Sequence, residues 1–482
     1  MKRFSIFLKW GIAFVVLVAA FLSVIIWWLD RETMREWNQC KADLKAHGFD
    51  LDPQAYIPPP VTDERNFAMA SIMRSYADYT RDPKTHEVIY THPVEHEKLD
   101  KISVKALMGV PALSWKSWEK GQPSALTEPQ AAEVLKAMQP FEGEMDEMAT
   151  ALLRPETRFP FHYEEGTGIL FPQFKLITQF GSLYALRAMA NLELGKTNDA
   201  WDDLQRTLLL SKDCHQSQLL IPFLEGMEIT ATMSLPVIWE GLRLHRWSDA
   251  QLALLEQELS SDQLLPGLKF GIYSDTAIMT NYVFGLRQEA AGDLLTVGSM
   301  DKKMEQILKA SGSLVPLAFV IKNIVNHARL VNGYLLKEFD SGQGLVFPMR
   351  DQVFRSEIMA ARKERPFSTF LSNVALPVYS SVVEMVAYFE QQRRFASFAC
   401  QLERYHLKHG EYPEKVDAYT REFAASLPRD ICSGSPVRYV RQNEGYRLWS
   451  IGWNLKDEAG EIAIDKSGRL NKEQGDWVWM IP

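Results

Sequence analysis

LYALRAMANLELGKTNDAWDDLQRTL, residues 183–208, decides the fold class. Leu183, Leu186, Arg187, Ala190 and Leu194 recur at helical spacing, and Gly195 follows as a stop. Asn198 opens a second stretch in which Ala200, Leu204 and Leu208 share one face. Two helices joined by a short turn must lie antiparallel, so this part of the chain is a helical hairpin.

Working outward, the same period continues. Ile221 to Leu244 reads as a long helix with an internal Pro236, and Ser248 caps a further helix over Asp249 to Leu259. Upstream, Thr127 and Pro129 start a helical segment that runs from Leu126 to Leu153, and Pro140 should kink or break it. Arg158 to Pro172 is aromatic and proline-bearing, and reads as a loop packed against the body. Leu264 to Phe347 is helical with breaks near Gly292 and Gly312. Pro366 to Pro377 reads as a loop or short helix, and Val382 to His409 as a long amphipathic helix ended by Gly410.

The N-terminus has a different character. Trp10 to Leu29 carries no formal charge. At roughly 1.5 Å per residue such a run spans the roughly 30 Å hydrocarbon core of a bilayer. Trp27 and Trp28 stand at one end and Trp10 at the other, where indoles prefer the membrane–water interface. Lys2, Arg3 and Lys9 precede the run, whereas Asp30, Arg31, Glu32, Arg35 and Glu36 follow with mixed sign. The positive excess predicts a cytoplasmic N-terminus and an extracytoplasmic bulk. A cleavable signal peptide is the competing reading, and a buried core helix of a soluble protein is a third. The length of the run and the bulky residues Ile25 to Leu29 favour an uncleaved anchor. Arg31 to His47 should continue the helix into solvent, and Asp52 to Pro60, with four prolines, reads as an extended linker. Leu314 to Leu336 is apolar, but Lys322, Asn323, Asn326, His327 and Arg329 argue against a second span.

The expected layout is therefore mainly α. A cytoplasmic tail (1–9) leads into a transmembrane helix (10–29), then a juxtamembrane helix and Pro-rich linker (30–60). A helical domain (61–375) is an irregular array with repeat-like packing, and 376–482 is a small α+β module of a long helix plus an antiparallel hairpin. In that module Val437 to Arg441 and Tyr446 to Ile451 alternate as strands, Asn443 to Gly445 supplies the turn, and Trp477 to Met480 adds a short strand.

Two family resemblances attach to these stretches. The hairpin of residues 183–208, with small residues at the crossing and Gly195-Lys196 at the turn, resembles a tetratricopeptide-type hairpin; further copies are not found. Leu402-Glu403-Arg404-Tyr405 followed by His409-Gly410-Glu411-Tyr412-Pro413 resembles the end of the long helix and first turn of type II secretion major pseudopilins. Leu427-Pro428-Arg429-Asp430 with Gly434 and Tyr439, Gly445-Tyr446-Arg447-Leu448, and Ser450-Ile451-Gly452 resemble their later segments. Pseudopilins carry this module directly after an N-terminal helix. Here residues 30–375 intervene, and the prepilin-peptidase motif is absent, so processing as a pilin is not implied. The layout of anchor, helical middle and tail is similar to that of large membrane-anchored proteins of planctomycete and verrucomicrobial bacteria, which implies no established activity. Some pseudopilins bind calcium after the last hairpin, where Asp457, Glu458, Glu461 and Asp465 stand here. Calcium needs six to eight oxygens from a flexible loop, and a solvated acidic turn is the plainer reading.

Chemistry-bearing clusters are sparse. The net charge of −8 argues against a nucleic-acid binder. His92-Pro93-Val94-Glu95-His96 matches the inverted zinc motif HxxEH, with His86 and Glu97 nearby. Pro93, however, disfavours helical backbone at His92, and surface histidines explain the stretch better. His162 with Glu164 and Glu165 offers a carboxylate pair, read as facing solvent. Cys40, Cys214, Cys400 and Cys432 form no CxxC; they either stay free or pair, with Cys400–Cys432 the first pairing to test. No residue is therefore assigned as catalytic, cofactor-binding or metal-ligating. The expectation is a membrane-anchored interaction or scaffold protein of the bacterial envelope, with a protein or peptide partner. A secretion-system-like assembly component and an anchored hydrolase with an unrecognised site are the alternatives.

Overall fold

The computed structural model describes residues 2–74, 76, 79–82, 85, 87–93, 117–123, 126–261, 264–288, 317–365, 368–417 and 427–482. Helix α1 (Lys2–Ala46) is followed by a 3-10 turn (Pro53–Tyr56), the short helix α2 (Ser71–Arg74) and a hairpin of β1 (Tyr79–Arg81) and β2 (Val88–Tyr90). Then come α3 (Glu128–Met138), α4 (Glu142–Ala151), α5 (Pro172–Glu193), α6 (Thr197–His215), α7 (Leu220–Ile229), α8 (Leu235–Arg243) and α9 (Asp249–Ser261). Helices α10 (Leu264–Gln288) and α11 (Leu317–Gly333) precede a two-stranded pair, β3 (Phe339–Asp340) and β4 (Leu345–Val346). Helices α12 (Pro348–Glu364) and α13 (Phe370–His409) lead into β5 (Arg438–Gln442), β6 (Gly445–Ser450), β7 (Ile462–Ile464), β8 (Leu470–Gly475) and β9 (Trp477–Ile481).

Helix α1 has two halves with opposite surroundings. Its N-terminal half leaves Trp10, Phe14, Phe21, Trp27 and Trp28 exposed, and it is long and apolar enough to cross a membrane. Past Asp30 the same helix turns its Thr33, Trp37, Cys40 and Leu44 face inward. Helix α11 runs beside it in the same direction, from Ala318, whose N–H donates to Asp30 Oδ1 at 3.0 Å, to Arg329 near Cys40. The expected projection into solvent is corrected: this spacing is one helical face and it is covered. The expected linker at 52–60 is likewise partly built in. Asp52 caps Gln54, Tyr56 is buried, and Phe49 stacks on Tyr273 at 4.1 Å.

The hairpin α5–α6 forms as its periodicity predicts, and Gly195 at φ +71° supplies the left-handed stop. Between them Arg187 donates to both oxygens of Asp203 at 2.7 Å, and Arg206 adds a third bond at 2.6 Å. The proline expectations also hold. Pro140 falls in a 3-10 turn between α3 and α4, and Pro236 opens α8 after a π-helical turn over Thr230–Ser234. Ser248 and Gln251 cap α9 reciprocally.

Helix α13 is the axle of the fold. Its upper part, Phe395 to Leu402, belongs to one core with α3–α9, Tyr446, Leu448 and Trp479. Its lower part, Ala375 to Phe389, belongs to a second core with α1, α10, α11 and α12. It starts at Phe370 and carries Pro377 inside, so the loop or short helix expected at 366–377 is corrected: from Phe370 on, these residues are the first turns of the long helix. Burial of Leu376, Tyr379 and Val383 outweighs the roughly 3 kcal/mol that an internal proline costs. Gln391 holds the far chain, accepting from the Ile431 N–H at 2.8 Å.

The C-terminal sheet has the order β5-β6-β9, with Tyr446 opposite Ile481 and Arg441 opposite Tyr446. These three strands were expected; the pairs β1–β2, β3–β4 and β7–β8 were not, because β1 to β4 and β7 have two or three residues each and β8, LNKEQG, carries no apolar alternation. Trp239 Nε1 donates to Met480 O at 2.9 Å, fixing the sheet to α8. A Cβ at Gly445 would strike the carbonyls of Ile481 and Pro482. Gly445→Ala is therefore expected to lower stability by about 1–3 kcal/mol in thermal unfolding, since neither carbonyl is a side chain that can swing aside. All four cysteines are free thiols. Cys400–Cys432 is not formed: Cys400 lies in the first core and Cys432 against the second.

Candidate functional site

The last turns of α13 present Glu403 and His406 three residues apart, on one helical face. Gly410, at φ +78°, ends the helix with its N–H on His406 O. The chain then folds back so that the Tyr412 hydroxyl donates to Glu403 Oε2 at 2.6 Å. From the opposite side comes His245, in the turn between α8 and α9 at φ +50°. Its Nδ1 lies 2.7 Å from Glu403 Oε1, and its ring stacks on His406 with centroids 4.5 Å apart. Among the described residues, His245, Glu403 and His406 are the one group of three potential metal ligands whose donor atoms all lie within 4.8 Å of one another.

Burial and charge differentiate the three. Glu403 is 1% exposed, whereas the His245 side chain is 43% exposed. The hydrogen bond to Glu403 raises the His245 pKa, against the opposing effect of its partial burial. Burial lowers that of His406, and the nearby Glu403 charge only partly offsets this. His406 Nδ1 is buried and has no hydrogen-bond partner. Two imidazoles and a carboxylate can hold a transition metal, or share a proton.

Sequence reasoning did not single out this cluster. The Glu-x-x-His spacing at 403–406 was the available signal, but His245 is 158 residues from Glu403 and only the fold brings it in. The candidates that were named go elsewhere. Glu165 does not face solvent. Arg81 binds it through two nitrogens at 3.0 and 2.8 Å, and Tyr79 donates to it at 3.2 Å. All three of these bonds tie it to β1. Glu164 is exposed, 3.3 Å from His162. His92 is exposed, and His86, Glu95, His96 and Glu97 lie outside the described residues. The acidic turn does not converge. Asp457 accepts from Trp449 Nε1 and pairs with Arg438, Glu458 accepts from Asn454, and Asp465 accepts from Ser467 and Arg469.

A second unforeseen group is a set of buried acids around α12. Glu338 is 0% exposed and neither carboxylate oxygen has a partner. Burial, reinforced by the neighbouring Asp351, pushes its pKa up to about 9, and burial raises Glu384 to about 7. Asp351 is better provided for, by Arg355 at 2.7 and 2.9 Å and by the Ser380 hydroxyl. A cavity between Glu119, Lys120 and Arg447 holds about 130 Å³, below the roughly 300–1,000 Å³ of small-molecule clefts.

No family model, curated protein or solved structure matches the chain.

Proposed function

We propose that this chain is an interaction or scaffold protein of the bacterial envelope, anchored by α1 in the cytoplasmic membrane with residues 30–482 on the extracytoplasmic side. One observation carries this reading: α1 runs unbroken from an exposed apolar half into the second core. A helix shared in this way fixes the orientation of the helical array to the bilayer instead of tethering it loosely. It also offers no extended segment of the kind a signal peptidase cuts. Exposed Met349 and Val353, one turn apart on α12, supply apolar surface to a protein partner.

A second reading, a secretion-system-like assembly component, is favoured by the long helix α13 leading through the Gly410 turn into the β5–β6 hairpin. Pull-down with the full chain in detergent, against envelope extract, separates the two. Saturable capture of a protein partner, competed by excess unlabelled chain, is the expected result. Filaments or co-purifying secretion proteins would favour the second reading. An empty pull-down from folded protein would remove both and bring a hydrolase screen forward. Intact-mass measurement of the purified chain checks the anchor, which requires residues 1–30 to remain attached.

A further inference from the structure

We propose that His245, Glu403 and His406 form a binding site for a divalent transition metal of the zinc class. The inference is independent of the scaffold reading. Three features carry it. Their donor atoms lie within 4.8 Å of one another although they come from two distant parts of the chain. The buried His406 Nδ1 has no partner, and a buried polar atom left this way calls for a ligand. The His245 ring is exposed enough for an ion to enter without opening the core.

The donor set selects the class of ion. Two imidazoles with one carboxylate suit zinc and its neighbours, and leave a fourth position for water. Calcium and magnesium need more oxygen ligands than this site offers. The Tyr412 hydroxyl, bonded to Glu403 Oε2, orients the carboxylate toward the two rings. On uptake the metal takes the place of the hydrogen bond between His245 Nδ1 and Glu403 Oε1, and the neutral imidazole carries its proton on Nε2. The bound ion would clamp the α8–α9 turn to the end of α13. Counted along the helix, Glu403 is about 50 Å from Phe370.

The test uses the full chain in detergent micelles, stripped with EDTA and titrated with zinc chloride at neutral pH by calorimetry. One zinc per chain is expected. His245→Ala and His406→Ala should each weaken binding by about 100-fold or more. If His406→Ala fails to fold, His245→Ala decides, since its ring is partly in solvent. Cobalt titration gives a second readout: a visible d–d band in the wild type that His245→Ala loses. No stoichiometric uptake by the wild type, or unchanged uptake by His245→Ala, would overturn the proposal.

Discussion

Glu338→Gln is expected to stabilise the protein by about 3 kcal/mol at pH 7. Glu338 is fully buried, both its oxygens lack partners, and its pKa in the folded state stands at about 9. The folded chain thus holds a proton on Glu338 at neutral pH that the unfolded chain releases. Between an unfolded pKa near 4.5 and the folded value of about 9, the unfolded state binds fewer protons, so stability falls as pH rises through this window. Each pH unit costs about 1.4 kcal/mol. Glutamine keeps the shape and has no proton to lose. The advantage of the variant should vanish near pH 4.5, grow through neutrality and level off above pH 9. Thermal unfolding of both proteins from pH 4.5 to 9 measures it. Parallel stability curves would show that Glu338 is ionised, or solvated, in the folded chain.

Asp203→Ala should act in the opposite direction, costing about 3–5 kcal/mol. Asp203 is 1% exposed and receives three hydrogen bonds, two from Arg187 and one from Arg206. Both guanidinium groups also lie over the Tyr184 ring, at 5.7 and 5.4 Å. Removing the carboxylate leaves two cations against the inner side of the α5–α6 hairpin without their hydrogen-bonded counter-charge, with Asp146 acting on Arg187 only through space. Arg206, more exposed, can swing toward water; Arg187 cannot do so as readily. Adding Arg187→Ala to Asp203→Ala should therefore recover part of the loss, and a double-mutant cycle reads the coupling. A loss below about 1 kcal/mol for Asp203→Ala would mean that water replaces the carboxylate and that this pair does not hold the hairpin.

The acids of Glu338 and Glu384 and the His245–Glu403–His406 group have one feature in common. Each gathers chemistry-bearing side chains from segments that read as ordinary helix or loop in isolation. Glu338 follows an apolar helix, and nothing around it announces that both oxygens will be enclosed. Its environment is made by other elements, with Asp351 and Arg355 arriving from α12. The same holds for Glu165, whose neighbour Glu164 stays in solvent while it binds Arg81 from β1. Two adjacent glutamates carry identical local signals and receive different partners.

What the sequence determined by itself is the local grammar of this protein. The charge-free run from Trp10 to Leu29, the period of residues 183–208, the stop at Gly195, the breaks at Pro140 and Pro236 and the strands around Asn443 are all written within a few residues of where they act. Helix and strand periodicity, and the backbone limits of glycine and proline, work at that range. Tertiary structure alone decided which faces were covered and which side chains met. It sheathed Trp37, Cys40 and Leu44 of α1, carried α13 through Pro377, kept Cys400 apart from Cys432, and brought His245 against Glu403 and His406. The reason is physical. Burial and pairing are set by whatever element packs opposite, and that element lies tens to hundreds of residues away.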